Sequence, residues 1–246
     1  LQNGFVQVRN PFNPHQISQY SITPDVLDCI VFWSKNPRPL YEHLDTLHTF
    51  GYPYYLLYTL NPYDNSIERN LPPTEERLTL FKTLSNKIGK KRVVWRYDPI
   101  IFSETLDAVY HIEQFGRLAT ELENTTDTCI TSFYQPYAKA KRKCRALGVR
   151  QPDYAERYDL LSRLQRIAAA HGIKLTLCAD PVTYPGTGTE KARCIDPERI
   201  ASLVGQEIPY TKDPGQRTEC GCQESIDIGA YNTCLHNCLY CYATLN

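Results

Sequence analysis

Val93-Val94-Trp95-Arg96-Tyr97-Asp98-Pro99 starts as an unbroken apolar run and turns polar just before a proline. Apolar, β-branched and aromatic residues in a short run of this kind read as a strand buried on both faces. Asp98-Pro99 marks its end, because a residue before proline is held extended and proline has no N–H for a further rung. The same arrangement recurs upstream. Leu60 leads into Asn61-Pro62-Tyr63, Trp33 into Ser34-Lys35-Asn36-Pro37, and Val8 into Arg9-Asn10-Pro11. Strands are therefore expected over residues 5–8, 29–33, 54–60, 93–97, 128–133 and 174–178.

Segments of helical period fall between these runs. A short helix is expected to open at Thr23-Pro24, a longer one over 74–88 stopped by Gly89, and a third from near Ser103 to about Leu122. A fourth, over 153–170, repeats Leu160, Leu161, Leu164, Ile167 and Ala168 on one face and ends at Gly172. The last has Asp196 as N-cap, Pro197 in its first turn and Gly205 as its stop. Alternating strands and helices of this kind indicate an α/β fold. A TIM-like (β/α) barrel, complete or partial, is favoured over an open doubly wound sheet, because a barrel gathers polar strand ends at one mouth. Asn-Pro and Asp-Pro are also ordinary turn punctuation, and Pro185-Gly186-Thr187-Gly188 reads as a flexible turn rather than a phosphate loop. Residues 1–210 are assigned to the barrel and 211–246 to a C-terminal cysteine-rich segment.

Composition narrows the classes of function. The chain has 246 residues, of which 42% are hydrophobic and 22% charged, with a formal net charge of zero. Bulk charge therefore supplies no reason to expect nucleic acid or an acidic membrane. No apolar run approaches the roughly 20 residues that span a bilayer, and a cytoplasmic location is expected. The one basic run, Lys139-Ala140-Lys141-Arg142-Lys143-Cys144-Arg145, is expected to be a solvated helix face, contact with nucleic acid being the alternative. Most of the 18 tyrosines are assigned to core and rim packing. The chain begins at Leu1 and has no Met, so a preceding stretch is expected, and the N-terminus leaves the presence of a leader open.

The ten cysteines divide unevenly. Cys29, Cys129 and Cys178 fall in apolar strand-like runs, where a thiol acts as a small hydrophobe, and Cys144 and Cys194 are isolated. Cys220, Cys222, Cys234, Cys238 and Cys241 crowd the C-terminus. A disulfide framework spreads its cysteines to close long loops, so crowding favours a metal. Cys234, Cys238 and Cys241 can wrap three corners of a cubane and leave its fourth iron free for a small molecule. Alternatively, Cys220 or Cys222 caps that iron to give a closed cluster for structure or electron transfer. A third reading has Cys220 and Cys222 complete a tetrahedral zinc site with two of the later three, stapling a binding module. His236 is expected to be a solvated loop residue. Lys35, Arg96 and Asp98 are the residues expected at the barrel mouth, with Arg9 and Asn36 as weaker members. Arg96 would hold a carboxylate or phosphate bidentately and Asp98 would orient it or accept a proton. A buried Arg–Asp pair that fixes the sheet is the competing reading.

The string Cys234-Leu235-His236-Asn237-Cys238-Leu239-Tyr240-Cys241-Tyr242-Ala243 matches the C-x3-C-x-aromatic-C pattern of radical-SAM proteins. It most resembles the branch related to spore photoproduct lyase. Over nearly its whole length the chain also resembles a bacterial family of unknown function, through Val8-Arg9-Asn10-Pro11, Phe32-Trp33-Ser34-Lys35-Asn36-Pro37, Arg96-Tyr97-Asp98-Pro99 and Asp227-Ile228-Gly229-Ala230-Tyr231-Asn232-Thr233. These resemblances imply a [4Fe–4S] cluster on Cys234, Cys238 and Cys241, S-adenosylmethionine on its open iron, Tyr240 beside the adenine and an electron donor as partner. They leave the substrate, small molecule or macromolecule, unassigned, and imply further residues at both ends. The chain departs from the radical-SAM pattern in two ways. Its motif lies at the C-terminus rather than after the first strand, and no Gly-Gly-Glu-like string is present to hold the methionine group.

Overall fold

Strand β5 (Val93–Ile100) lies inside a six-stranded, wholly parallel sheet. The structure is a computed structural model that describes residues 1–10, 13 and 15–243. The sheet runs β3 (Ile30–Ser34), β4 (Tyr54–Thr59), β5, β6 (Thr128–Phe133), β7 (Lys174–Leu177) and β8 (Glu190–Lys191), each beside its successor in the chain. This monotonic order belongs to strand–helix units added one after another in a single direction, whereas a doubly wound sheet reverses its order. Among the described residues no ladder joins β3 to β8; the fold is α/β, a six-stranded parallel sheet flanked by helices.

The helices follow their caps. α3 (Thr74–Ile88) stops at Gly89, whose φ of 89° suits a residue without a Cβ. α6 (Tyr154–Ala170) opens with a capping box of Asp153 and Glu156. α7 (Pro197–Val204) has Asp196 accepting from the Glu198 N–H and Gly205 in the left-handed region at its end. α4 begins five residues later than the sequence suggests, over Ala108–Leu122, because Asp107 caps the Tyr110 N–H while Ser103 closes a preceding turn onto Leu106. Short helices α1 (Arg38–Tyr41) and α2 (Leu44–Thr49) join β3 to β4, and α5 (Ala138–Ala146) follows β6. Thr23-Pro24 forms only a turn, closed by the Val26 N–H on the Thr23 carbonyl.

The first expected strand does not belong to the parallel sheet. β1 (Phe5–Arg9) pairs antiparallel with β2 (Ile17–Ser21) as a hairpin. Its residues alternate exposed and half-buried, the pattern of a strand with one face in water rather than of a doubly covered one. Arg9 consequently lies exposed on a hairpin outside the parallel sheet.

Side chains leave the sheet alternately to two faces. On the first, Leu56, Tyr58, Trp95, Tyr97, Phe133 and Leu175 pack with Phe81 and Leu84 of α3, Phe115 and Leu118 of α4, and Leu160 and Leu164 of α6. Trp95 and Phe115 stack at 4.8 Å between ring centres, and the Trp95 indole N–H reaches the Leu60 carbonyl at 2.9 Å. On the second face Tyr55, Leu57, Val94 and Ile130 pack with Ile200 of α7, Ile195, Cys194, Cys220 and Cys222. The C-terminal segment thus contributes to this layer rather than standing apart. Arg96 and Asp98 share the parity of Val94 and continue the second face toward the strand carboxyl ends. No helix among the described residues is long and apolar enough to cross a membrane.

His111 on α4 is fully buried between Tyr97 and the Ile101 carbonyl. A carbonyl only accepts, so Nε2 carries the hydrogen and Nδ1 accepts from the Tyr97 hydroxyl at 2.9 Å. Burial holds the imidazole at a pKa of about 4, against the small opposing effects of Ile101 and Asp107. Between the unfolded value of about 6.5 and this folded value the unfolded chain binds the extra proton. Stability therefore falls as pH drops through that window. A loss of about 3 kcal/mol on going from pH 7 to pH 4 is expected from this group. Replacing His111 by glutamine should flatten that part of the profile in urea unfolding.

Candidate functional site

A continuous polar network occupies the carboxyl ends of β3, β4 and β5, and its hub is Glu68, in the loop after β4. Glu68 is 1% exposed. Lys35 Nζ lies 3.1 Å from its Oε1, Arg77 Nη1 3.2 Å from its Oε2, and Asn61 Nδ2 3.2 Å from Oε1, while the Tyr240 hydroxyl donates to Oε1. Burial by itself would raise the carboxyl pKa, but Lys35 and Arg77, helped by Tyr240, outweigh it and hold Glu68 below the ordinary value. One carboxylate thus faces two cations. Asn61 carries the network to the next strand, accepting from the Asp98 N–H at 2.8 Å and donating to the Asp98 carbonyl at 2.8 Å.

Asp98 and Arg96 form the second half of the network. Arg96 Nη2 lies 2.6 Å from Asp98 Oδ2, and the Ser132 hydroxyl donates to Oδ1. Burial opposes the charge on Arg96, but Asp98 and the neighbouring Cys194 and Cys178 favour it, so its pKa is raised. The guanidinium sits 5.9 Å from the ring of the exposed Trp33. Asn36 is half-buried and uses its side-chain oxygen on the Arg38 N–H of α1. Lys35, Arg96 and Asp98 thus belong to one network, linked through Glu68 and Asn61. Beside Glu68 and Arg77 opens a cleft of about 420 Å³, lined also by Pro62, Tyr63, Asp64 and Thr74.

The cysteine motif is pinned onto this network. Cys238 and Glu68 form an antiparallel bridge, and the Leu239 N–H donates to the Ile67 carbonyl at 3.0 Å. Asn70 binds the His236 and Leu235 carbonyls through its N–H at 3.1 Å and its side-chain amide at 2.7 Å. His236 joins this tie, its Nδ1 lying 3.4 Å from the Asn70 carbonyl, and is a half-buried loop residue. Asn237 adopts φ 51°, a left-handed conformation asparagine tolerates, and the Cys241 N–H closes a turn on the Cys238 carbonyl at 3.1 Å. Tyr240 is 8% exposed, with its ring edge-on to Tyr63 and Lys35 Nζ 5.1 Å from its centre. It faces inward, its hydroxyl on Glu68.

The three motif thiols differ in exposure: Cys234 is exposed, Cys241 half-buried and Cys238 buried. Burial, with Glu68, Cys241 and Cys234 adding and Lys35 opposing, pushes the Cys238 thiol up to about 12. Among the described residues all cysteines are free, and no three Cys, His, Asp or Glu side chains stand ready around a common point for a metal ion. The motif supplies soft donors of the right type and spacing on an anchored loop, but not a closed ligand cage.

Cys220 and Cys222 lie with different partners. Both are buried in the layer on the sheet's second face, together with Cys194 and Cys178, whereas Cys238 belongs to a separate cluster with Tyr63, Ile101 and Tyr134. The N–H groups of Cys194 and Ile195 point at Cys222 Sγ at 3.2 and 3.5 Å. A bond from the Cys194 thiol, those two N–H groups and Cys220 together outweigh burial and hold Cys222 at about 5. The single Cys194 proton cannot serve both Cys222 and Cys178. Cys222 has two backbone donors besides.

Glu68, Asn61, Arg77 and the Cys178–Cys194 pair are the site residues that sequence reasoning missed. Asn61 is visible as a strand-end residue, and the others carry no local signal. The basic run forms α5, where Lys141, Arg142 and Arg145 are exposed while Ala140 and Cys144 are buried, Cys144 Sγ reaching the Leu239 carbonyl at 3.8 Å. α5 thereby supports the motif loop from outside.

No curated protein matches the chain. One solved structure is similar at TM-score 0.31 and 12% identity: the TTHB071 protein from Thermus thermophilus, soaked with ZnCl2. The match covers 80% of this chain and 65% of that one, so the chain spans slightly less than two thirds of that protein's length. A likeness so weak carries no argument about fold or metal. A family model matches residues 1–243, almost the entire chain, and with it the hairpin, the polar strand ends and the cysteine motif. The chain therefore belongs to the family described as a domain of unknown function (DUF1848).

Proposed function

We propose that Cys234, Cys238 and Cys241 ligate a [4Fe–4S] cluster with one iron left open, and that the chain is a radical-SAM-like enzyme. Its substrate would meet the cluster at the carboxyl ends of the parallel strands, on what would be the arc of a (β/α) barrel. The observation that carries this reading is the placement of the motif. A three-thiol loop is tied by Leu239, Asn70 and the buried Tyr240 hydroxyl directly onto the polar strand ends. Cys220 and Cys222 pack in a different cluster from Cys238, which supports a centre with its fourth iron open. When bound, such a cluster supplies an iron that chelates S-adenosylmethionine and the electron that cleaves its sulfonium bond. Residues 211–246 then serve as the segment that carries the cluster on a scaffold of residues 1–210.

The chain's own residues set the conditions. The buried Cys238 thiol must lose its proton to ligate, so cluster uptake favours alkaline pH. Lys35 and Arg77 leave a net positive charge beside the motif, which favours a thiolate-bound, anionic centre there. Arg96 and Asp98 are the groups offered to substrate, with the exposed Trp33 ring as a flat neighbour. An electron donor is the partner this reading requires, and a reducing, cytoplasmic setting its location.

Anaerobic reconstitution with iron and sulfide, followed by EPR with and without S-adenosylmethionine, tests the proposal. A reduced-cluster signal that changes on addition of S-adenosylmethionine is expected, and C238S should lose most of the iron and sulfide. A signal indifferent to S-adenosylmethionine, or a motif that takes up zinc and no iron, would overturn the reading.

A further inference from the structure

The second group of thiols has a geometry of its own. Cys178 Sγ and Cys194 Sγ are 3.8 Å apart. Cys194 also sends its N–H to Cys222 Sγ at 3.2 Å, and Cys220 packs in the same buried cluster, so the cysteines run as a chain of neighbours from Cys178 through Cys194 to Cys222 and Cys220. A zinc–sulfur bond of about 2.3 Å gives a tetrahedron whose edge is about 3.8 Å. A cubane cluster holds its protein sulfurs farther apart, because each binds a different iron. That one spacing is therefore the spacing of two thiolates on a single ion, while no three side chains yet surround a common point among the described residues. Two consecutive backbone N–H groups converge on Cys222 Sγ, as they do where a thiolate keeps negative charge after ligation.

We propose that Cys178, Cys194, Cys220 and Cys222 form a second, separate metal site, which takes one soft divalent ion, zinc, in a four-thiolate tetrahedron. The chain of sulfurs is open as it stands, and closing it requires side-chain rotations about Cα–Cβ as the ion displaces the thiol protons. The surroundings suit such a centre. Cys194, Cys220 and Cys222 are buried against Tyr55 and Val94, and the Arg96 guanidinium is near enough to act on Cys178 and Cys194, offsetting the negative charge of four thiolates. The site also has a structural task. Residues 205–224 contain no helix or strand, and their backbone meets the body of the protein through few bonds, among them Gln223 N–H to the Ile195 carbonyl at 2.9 Å. An ion shared by the end of β7, the residues after β8 and this returning segment would fasten the segment to the sheet. The inference does not rest on the cluster proposed at the motif.

The test uses the full chain. Protein stripped of metal is titrated with zinc and with cobalt(II), and its cysteines are mapped by alkylation and mass spectrometry before and after zinc. One equivalent of cobalt with the ligand-field and sulfur charge-transfer bands of a tetrahedral thiolate site is expected. Zinc should slow alkylation of Cys178, Cys194, Cys220 and Cys222 at least tenfold relative to the metal-free chain. A triple variant with Cys234, Cys238 and Cys241 replaced by serine should retain that equivalent, and C222S should lose it. Protection confined to Cys234, Cys238 and Cys241, a Cys178–Cys194 disulfide under reducing conditions, or iron with labile sulfide at these four thiols would each overturn the proposal. The mapping on the unaltered chain decides the matter even where a variant does not fold.

Discussion

E68Q is expected to destabilise the protein by about 3–5 kcal/mol, the usual cost of removing one partner from a buried ion pair. The carboxylate is the shared counter-ion of Lys35 and Arg77. Lys35 keeps 19% side-chain exposure and can turn toward water, so the cost falls mainly on Arg77, which keeps 2%. The change is isosteric, and its effect therefore reports charge rather than packing. Urea unfolding measures it, and R77M introduced beside E68Q should recover a large part of the loss, because no stranded cation then remains. A loss below about 1 kcal/mol would place the pair in the class of solvated surface bridges and refute this account. The pH dependence has a definite sign. The folded pKa of Glu68 is depressed, so its contribution is present above the unfolded value and lost as pH falls through the folded one. Because the Tyr240 hydroxyl and the Cys238 bridge rest on this residue, E68Q should also speed alkylation of Cys238.

W95A is expected to cost about 3–5 kcal/mol, the range for truncating a fully buried aromatic side chain. Trp95 is buried completely, stacked on Phe115 and edge-on to Tyr97 at 5.8 Å. W95F should cost less, about 1–3 kcal/mol, since it keeps the ring but strands the buried Leu60 carbonyl. Leu60 precedes Asn61, so the loss is felt at the polar network as well. Chemical denaturation of the two variants separates cavity from hydrogen bond. A W95F cost near zero would mean that the indole N–H contributes nothing, and equal costs that the ring adds nothing beyond that bond.

How much of this was legible follows from range. β4 to β7 were readable because each is a run of apolar residues covered on both sides, and α3, α6 and α7 because their stops and caps lie within a few positions of their ends. Arg96 and Asp98 could be placed on this strand because alternation is a local fact, but Pro99 does not end it: β5 runs on to Ile100 after a shift of register. The hairpin was assigned to the wrong sheet, although the alternation of polar and apolar residues in Phe5-Val6-Gln7-Val8-Arg9 was the signal that separates it from the others. Glu68 was not legible at all. It stands in an irregular loop among other polar residues, and its partners Lys35 and Tyr240 lie 33 and 172 positions away. Cys178 and Cys194 were read as a buried hydrophobe and an isolated residue, since nothing in their flanks tells a thiol packed against leucine from one packed against another sulfur. Only the return of Cys220 and Cys222 to the second face gives them chemistry.

The two margins of the sheet also bear on self-association. β8 comprises two residues, Glu190 and Lys191, both exposed, and Glu190 is paired with Lys174 of β7 at 2.8 Å. So short and charged a margin gives a foreign strand little to pair with, a common natural guard against fibril-like stacking. The opposite margin, β3, is longer, largely apolar and carries the exposed Trp33. Intermolecular strand addition, should this protein aggregate when concentrated, would therefore start along Ile30–Ser34, and a lysine at Val31 is the substitution that would suppress it.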